Sequence, residues 1–212
     1  MEPEQLEEVA QRLPIFPLPR TVLMPGTTLP LHVFEPRYRA LVEHCLATDR
    51  VMGVATLRPG YEEDYEGKPA LFPEIGVGQI VAHQPFVDGR CNIVLRFEGC
   101  VELQGEVDTD ELFRIVSGVV VTTDASGIDS ALQSLKVLVL QLGSVRPEAA
   151  EEAHRLALLE GMELPDALAR RLFEQVDTQR AYLAATRLVD RVSLVSDRLA
   201  QFLLAASTMG EA

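Results

Sequence analysis

Lysine, cysteine and tryptophan are scarce in this sequence. The 212 residues include two lysines, three cysteines and no tryptophan, and 32 Asp and Glu residues outnumber 19 Lys and Arg residues, for a formal net charge of −13. A protein that binds nucleic acid needs Lys and Arg to replace the counterions condensed on phosphates. Because no run of basic residues is present, the charge balance argues against nucleic acid as a partner.

The few cysteines also limit the class of protein. Cys45, Cys91 and Cys100 are odd in number and form no C-x-x-C pair, which argues against a disulfide scaffold or a zinc cluster and fits a reducing compartment. No apolar run approaches the roughly 20 residues that span a bilayer. The acidic start, MEPEQLEEVAQRL, is unlike a basic signal peptide. We therefore expect a cytoplasmic protein with no membrane partner.

Motifs that carry chemistry are missing as well. The chain has no G-x-x-x-x-G-K-[ST] loop, and Val116-Ser117-Gly118 lacks the first glycine of G-x-S-x-G. The histidines show no metal-binding spacing: His32, His44, His83 and His154. We predict no catalytic residue, no metal and no cofactor. A hydrolase stays an alternative, because catalytic groups meet in space rather than in sequence.

Residues 1–126 have the pattern of a β-domain. Cys91, Ile93, Leu95 and Phe97 alternate with Asn92, Val94, Arg96 and Glu98, as in a strand with one apolar face. Asp88-Gly89 is a strong hairpin signal. The acidic segment 58–73 is predicted to be a solvated, mobile loop. The predicted elements are strands at about 14–34 (interrupted by prolines), 51–57, 75–86, 90–98, 100–107 and 112–122, and a helix at 36–48.

Residues 127–212 have the pattern of a helical bundle. Helices are predicted at 128–143 and 148–160, followed by one that starts at Pro165 and a long one that ends the chain. The third is expected to bury Leu168, Leu172, Phe173 and Val176. Short connections make neighbouring helices antiparallel, so a small bundle packed on the β-domain is expected.

One stretch has a specific resemblance. Residues 13–18 (LPIFPL), 22–26 (VLMPG) and 29–38 (LPLHVFEPRY) resemble, in order and spacing, the opening of the Lon substrate-binding domain. That domain is found at the N terminus of ATP-dependent Lon proteases, in cereblon and in bacterial proteins that contain little else. Residues 112–116 (LFRIV) and the helical tail from Arg180 extend the resemblance over nearly the whole chain.

The resemblance implies an α+β fold. It is a PUA-like, partly closed β-barrel with one packed helix, followed by a C-terminal helical bundle. The implied function is a non-catalytic module that binds unfolded or tagged polypeptides in protein quality control, with a separate ATP-dependent protease or its substrates as partners. The ATPase and the Ser–Lys protease of Lon lie in later domains, so we expect neither activity here. Since other PUA-like barrels bind RNA, a small-molecule or RNA binder is the alternative.

The signature residues are expected to be mainly structural. Pro25 and Gly26 would shape a turn, and Glu35 and Arg37 would pair with neighbouring strands. Phe16, Leu31, Phe34 and Tyr38 would bury their side chains, and Gly78, Asp88 and Gly89 complete the set. Peptide binding is assigned instead to apolar residues in turn-like segments, because exposed apolar patches mark protein contacts: Phe72, Pro85, Phe86 and Val87.

One departure from the family pattern stands out. The family places Arg-Phe shortly after the glycine that follows the hairpin, whereas Gly99 is followed here by Cys100-Val101-Glu102. Glu102 occupies the arginine position, so any ion pair made by that arginine is lost or reversed. The glutamate that follows the glycine of the fourth strand is also missing.

The apolar helix at 128–143 yields a prediction about cooperativity. Because it is apolar on nearly every face, we expect it to lie between the barrel and the other helices, with Leu138 fully buried, so that Leu138→Ala costs about 2–5 kcal/mol. A fragment of residues 1–126 should then melt at a lower temperature and less sharply than the full chain. A fragment that melts as high and as sharply in calorimetry would contradict this.

Overall fold

A computed structural model describes residues 1–209 and divides the chain into two compact units, residues 1–121 and the residues from 122 on. The first unit is mainly β. Its elements are α1 (Pro3–Ala10), β1 (Leu13–Leu18), β2 (Thr28–Val33), α2 (Pro36–Ala47), β3 (Val51–Leu57), a 3-10 turn (Tyr61–Asp64), β4 (Leu71–Pro85), β5 (Cys91–Val107) and β6 (Arg114–Val120).

Strand β5 closes the sheet into a partial barrel. The strand order is β2-β5-β4-β3-β1-β6, and β6 also pairs with β5. The first half of β5 pairs with β2 and its second half with β6, on the same side of the strand. Register shifts in β4 and β5 supply the bends that such closure needs. Among the strand pairs of residues 1–121, β1–β3 is parallel and the others are antiparallel.

Two apolar clusters lie on opposite faces of β1. Ile15 belongs to a cluster that Leu6 of α1 joins, and Phe16 belongs to one that α2 joins through Tyr38 and Leu41. The alternation of β1 side chains explains this division. All three cysteines are buried, and burial raises the pKa of the Cys45 thiol to about 12, so Cys45 is a packing residue.

The strand boundaries differ from the sequence prediction at three places. The predicted stretch 14–34 forms two strands, β1 and β2, which are separated by residues 19–27 and do not pair with each other. No break separates residues 90–98 from 100–107, because β5 runs through Gly99. A Cβ atom at Gly99 would overlap the Leu6 side chain, so this glycine lets α1 approach the strand and does not end it. Strand β4 begins at Leu71 rather than residue 75, which shortens the predicted 58–73 loop. Helix α1 was not predicted at all.

Two glycines of β4 allow the segment before β2 to pack directly against the strand. A Cβ atom at Gly76 would overlap the backbone carbonyl of Leu23, and one at Gly78 would lie 2.7 Å from the Leu23 side chain. Since Leu23 is buried, it has little room to move away. The β4 glycines therefore fix the path of the chain between β1 and β2.

We predict that Gly76→Ala destabilises the protein by about 1–3 kcal/mol, since the new methyl group meets backbone in a packed region. Urea unfolding followed by circular dichroism measures the effect. Gly105→Ala is the matched control, because its Cβ would meet only Ser117 Oγ at 3.9 Å. Equal stability of the two variants would contradict the proposed clash.

The second unit is helical. Its helices are α3 (Ile128–Val145), α4 (Ala150–Ala157), α5 (Glu163–Leu172), α6 (Val176–Ala184) and α7 (Leu188–Met209). The predicted third helix is present as α5, and Leu168 and Phe173 are buried as expected. Its extension through Val176 is wrong, because the chain leaves the helical conformation at Phe173, and Leu172 and Val176 are only half-buried. Gln179 Nε2 donates to the Phe173 carbonyl at 2.8 Å, which satisfies a backbone group that the break exposes.

Helix α3 has one buried face within this unit. Leu132, Leu135 and Val139 are buried, and α3 contacts α4 and α7. Val137 and Leu140 are exposed. Leu138, expected to be fully buried, is only half-buried. Leu135 is completely buried. We therefore expect the loss of about 2–5 kcal/mol in unfolding free energy for Leu135→Ala and not for Leu138→Ala.

A half-buried carboxyl group, Asp166, lies in the helical unit. The Tyr182 hydroxyl donates to Asp166 Oδ1 at 2.6 Å, and the Arg191 guanidinium lies 5.5 Å from the Tyr182 ring. Burial raises the pKa of Asp166, against the opposing effects of the Tyr182 hydrogen bond and of Arg191 and Arg170. The ionised form of Asp166 is therefore less favourable in the folded state than in the unfolded chain.

The raised pKa of Asp166 gives a pH-dependent prediction. A carboxyl group with a raised folded-state pKa favours folding most below its unfolded pKa, and this contribution is lost as the pH rises through the folded pKa. Asp166→Asn keeps an acceptor for Tyr182 without a charge, so its stability relative to the natural chain should be higher at pH 7 than at pH 3.5. Thermal unfolding at both pH values tests this. Asp177→Asn, at an exposed position, is the control.

Candidate functional site

The predicted peptide-binding residues lie at two separate places in the first unit. Pro85 ends β4, and Phe86 and Val87 form the turn to β5; Phe86 is 38% exposed and Val87 fully exposed. Phe72 lies at the other end of β4, where it is half-buried and has the Arg58 guanidinium 5.3 Å from its ring. The structure therefore does not bring Phe72 together with the other three.

Phe34 is exposed like the turn residues Phe86 and Val87, although it was expected to be buried. Its side chain is 58% exposed. The reason is the alternation along β2, where Val33 is buried and its neighbours Thr28, Pro30 and His32 face outward. Leu31, also expected to be buried, is half-buried. The period-two pattern of residues 28–34 was the signal that could have placed Phe34 on the surface.

His32 lies between the two aromatic rings. Its ring centroid is 6.0 Å from that of Phe34 and 6.1 Å from that of Phe86. His32 Nδ1 hydrogen-bonds Asn92 Oδ1 at 2.7 Å, and Asn92 Nδ2 donates to Gln84 Oε1 at 3.3 Å. These bonds hold the imidazole in place across β2, β5 and β4. We call His32, Phe34, Phe86 and Val87 the aromatic edge.

The aromatic edge carries little negative charge for so acidic a protein. Residues 20–34 contain no Asp or Glu, and residues 75–97 contain only Asp88. Asp88 Oδ2 lies 2.6 Å from Arg90 Nε, and hydrogen bonds from Arg90 lower the pKa of the Asp88 carboxyl. The charge of Asp88 is therefore largely balanced within the turn.

Strand β2 has one open edge beside these side chains. It pairs only with β5 among the strands of residues 1–209. The Phe97 N–H donates to the Thr27 carbonyl at 3.1 Å, so odd-numbered residues face β5 and the peptide groups of Thr28, Pro30 and His32 face the open edge. Pro30 has no N–H, which removes one donor from that edge.

The remaining signature residues lie inside the fold or at its turns. The rings of Phe16 and Tyr38 are 4.1 Å apart in the core, and the Tyr38 hydroxyl donates to the Pro17 carbonyl at 3.3 Å. Gly26 and Gly89 have φ values of +66° and +81°, which a side chain disfavours.

Two further positions of the family pattern are also placed. Pro25 is buried. Glu102 is exposed, with Glu74 opposite it on β4 and Val119 opposite it on β6.

Glu35 and Arg37 do not pair with neighbouring strands as expected. Arg37 Nε donates to Glu35 Oε2 at 3.0 Å, and Arg37 Nη1 donates to the Tyr65 carbonyl at 3.0 Å. The Tyr65 hydroxyl donates to Glu35 Oε1 at 3.1 Å. The guanidinium also lies 4.7 and 4.8 Å from the rings of Tyr38 and Tyr65. We call the segment between β3 and β4, residues 58–70, the acidic loop. These contacts attach it to the start of α2, so the loop is not simply solvated.

Other chemistry is not evident in the part of the chain that the structure describes. No three His, Cys, Asp or Glu side chains there come together as metal ligands. None of its helices is both long and apolar enough to cross a membrane.

The fold is similar to that of known Lon N-terminal domains. The N-terminal domain of a Lon protease from the Mycobacterium avium complex superposes with a TM-score of 0.66 at 15% identity, over 90% of this chain and 98% of that domain. A Lon N-terminal domain protein from Xanthomonas campestris superposes with a TM-score of 0.60 at 24% identity, over 92% of this chain and 98% of that one. The predicted α+β class with a C-terminal helical region is confirmed.

The chain belongs to the ATP-dependent protease La (LON) substrate-binding domain family, whose model matches residues 12–210. It is 31% identical to Lon protease 2 of Myxococcus xanthus over 202 residues, which are 91% of this chain and 24% of that protease. Lon protease of Chloroflexus aggregans is 25% identical over 163 residues, 73% of this chain and 20% of that protease. The chain therefore spans about a quarter or less of the relatives it matches. The resemblance to the Lon substrate-binding domain that residues 13–38 indicated is confirmed. Membership of this family makes the protein a substrate-binding module.

The Arg37 contacts predict how the acidic loop responds to mutation. Arg37→Ala removes the ion pair, the hydrogen bond to Tyr65 and both ring contacts, so the loop should open more often. A glutamate-specific protease should then cleave after Glu62, Glu63 or Glu66 several-fold faster than in the natural chain. Arg90→Ala, which removes an arginine from the exposed hairpin, is the control. Equal cleavage rates for all three proteins would contradict the role of Arg37.

Proposed function

We propose that this protein is a non-catalytic polypeptide-binding module that recognises unfolded or tagged proteins in protein quality control. A separate ATP-dependent protease, or the substrates of one, is the proposed partner. The observation that carries the proposal is the aromatic edge, where exposed apolar side chains with few acidic neighbours adjoin an open strand. Exposed apolar patches of this kind mark protein contacts.

The binding mode that fits this geometry is strand addition. An extended segment can pair with the free peptide groups of Thr28 and His32, since main-chain hydrogen bonds to a sheet edge do not depend on the client's sequence. Phe34, Phe86 and Val87 would cover apolar side chains of the segment. Unfolded chains offer both features, whereas folded proteins bury them. Because Pro30 interrupts the row of donors, the affinity should be modest, with Kd in the range of about 1 μM or weaker.

The charges near the edge favour protein over RNA. Arg96 Nε lies 2.8 Å from Glu98 Oε1, and Arg90 pairs with Asp88, so the arginines of the hairpin are already paired. Phosphate binding needs cations that are free to replace counterions. We therefore do not propose RNA binding as a second function, and a competition experiment with RNA tests this choice.

Variants of the aromatic edge test the proposed function. The double variant Phe34→Ser, Val87→Ser removes two exposed apolar side chains without opening the core, so it should fold normally and bind a permanently unfolded model protein about tenfold more weakly, as expected when central apolar contacts are lost. Fluorescence anisotropy with labelled, reduced and alkylated lactalbumin measures the affinity. Val119→Ser, at an exposed valine of β6, should bind as the natural protein does.

Two results would contradict the proposal. One is unchanged binding by the double variant. The other is ATP-dependent degradation of the labelled protein by this chain alone, since the proposal assigns it no catalytic step. An excess of single-stranded RNA should leave the anisotropy signal unchanged.

A further inference from the structure

A cavity of about 300 Å³ lies in the first unit, away from the aromatic edge. It is bounded by the start of α2, the acidic loop and the connection between β5 and β6. Its size is at the lower limit of small-molecule sites and suits one amino-acid residue. No residue of the aromatic edge lines it.

One wall of the cavity is apolar. Leu57, Val107 and Phe113 line it, together with Pro17. Leu112 also lines the cavity and is 68% exposed. A large exposed leucine beside a concave apolar surface favours a ligand with an apolar group of similar size.

The lining also contains three basic and three acidic side chains, Arg37, Lys68 and Arg114 against Glu66, Glu106 and Glu111. Arg114 Nη2 hydrogen-bonds Glu106 Oε1, and Lys68 Nζ lies 3.8 Å from Glu106 Oε2. Two cations thus share one carboxylate. The Arg37 charge, in contrast, is balanced by Glu35 at 2.9 Å.

Arg114 has hydrogen-bonding capacity to spare. Nη1 donates to the Pro69 carbonyl at 2.9 Å, and Nη2 to Glu106, but each of these nitrogens carries two protons. The buried Nε finds no acceptor within residues 1–209. Because Nε has almost no accessible surface, the donors that remain for a ligand are the second N–H groups of Nη1 and Nη2. A guanidinium can hold a carboxylate through two parallel hydrogen bonds.

Two other carboxylates limit what the cavity can accept. Glu66 and Glu111 also line it, and both are exposed. Water screens them more than it screens the inner charges, but they would repel a second negative charge near the opening. The lining therefore suits a ligand with a single carboxylate and no further acid.

We infer that this cavity binds the C-terminal residue of a polypeptide, with its α-carboxylate at Arg114 and Lys68 and an apolar side chain against Leu112 and Val107. A small apolar carboxylic acid shares this chemistry. The polypeptide is the favoured source, because the cavity accommodates about one residue and opens to solvent beside Leu112. This site is independent of the aromatic edge and of the function proposed for it.

Labelled peptides test the inference on the full chain. The probe is a fluorescein-labelled peptide of alternating glycine and serine that ends in Leu-Leu with a free carboxylate, measured by anisotropy. The same peptide with a C-terminal amide should bind at least about tenfold more weakly, the effect of losing about 1.4 kcal/mol. Equal binding of acid and amide would overturn the inference.

Variants locate the binding on the protein. Leu112→Glu changes an exposed side chain and places a negative charge in the cavity, so it should weaken binding of the free-acid peptide; Val119→Glu makes the same change outside the cavity and should not. Arg114→Lys keeps the charge but loses the planar guanidinium, and should lower affinity without abolishing it. Circular dichroism confirms that each variant is folded. Unchanged binding by Leu112→Glu would overturn the site.

Competition with N-acetyl-leucine separates the two sources of carboxylate. Displacement of the bound peptide supports a shared site. Binding of N-acetyl-leucine to a protein that does not bind the free-acid peptide would overturn the polypeptide source. The Phe34→Ser, Val87→Ser variant should retain free-acid peptide binding at the cavity, so that failure of one site is distinguishable from failure of the other.

Discussion

The structure of the first unit depends on one strand having two partners on the same side. Strand β5 is long enough that its first half pairs with β2 and its second half with β6. The second pairing closes the barrel and removes the open edges of β5 and β6 there. The first pairing adds β2 outside the closed ring, where its other edge has no strand partner among the described residues. The open edge is therefore a consequence of how the barrel closes.

The sequence predicted the parts of the fold that depend on local pattern. Alternation from Cys91 to Phe97, the Asp88-Gly89 turn and the apolar stripe after Pro36 predicted elements that the structure contains. Prediction failed where a glycine makes room for a residue that is distant in the sequence. Gly99 was interpreted as a strand end, but it makes room for Leu6, which is 93 residues away in sequence. Local pattern does not contain that contact.

The candidate site shows the same division. Phe86 and Val87 were predicted from their turn context, because a turn exposes its residues whatever the rest of the fold does. Phe34 was assigned to the core since phenylalanine is usually buried. Its exposure follows from the alternation along β2, in which the even-numbered side chains face outward. The cavity beside Arg114 could not be predicted, because α2, the acidic loop and the β5–β6 connection are brought together only by barrel closure.

Pro30 has a consequence for the protein's behaviour toward copies of itself. An open strand beside apolar side chains is the feature through which chains add edge to edge into fibrils. A growing cross-β stack needs donors and acceptors from every outward peptide group, and Pro30 withholds a donor midway along a six-residue strand. Pro30 therefore makes this edge a poor template for a second β2, whereas the proposed pairing with a short segment needs only the peptide groups of Thr28 and His32. Colloidal stability and the proposed recognition surface are thus compatible in one strand.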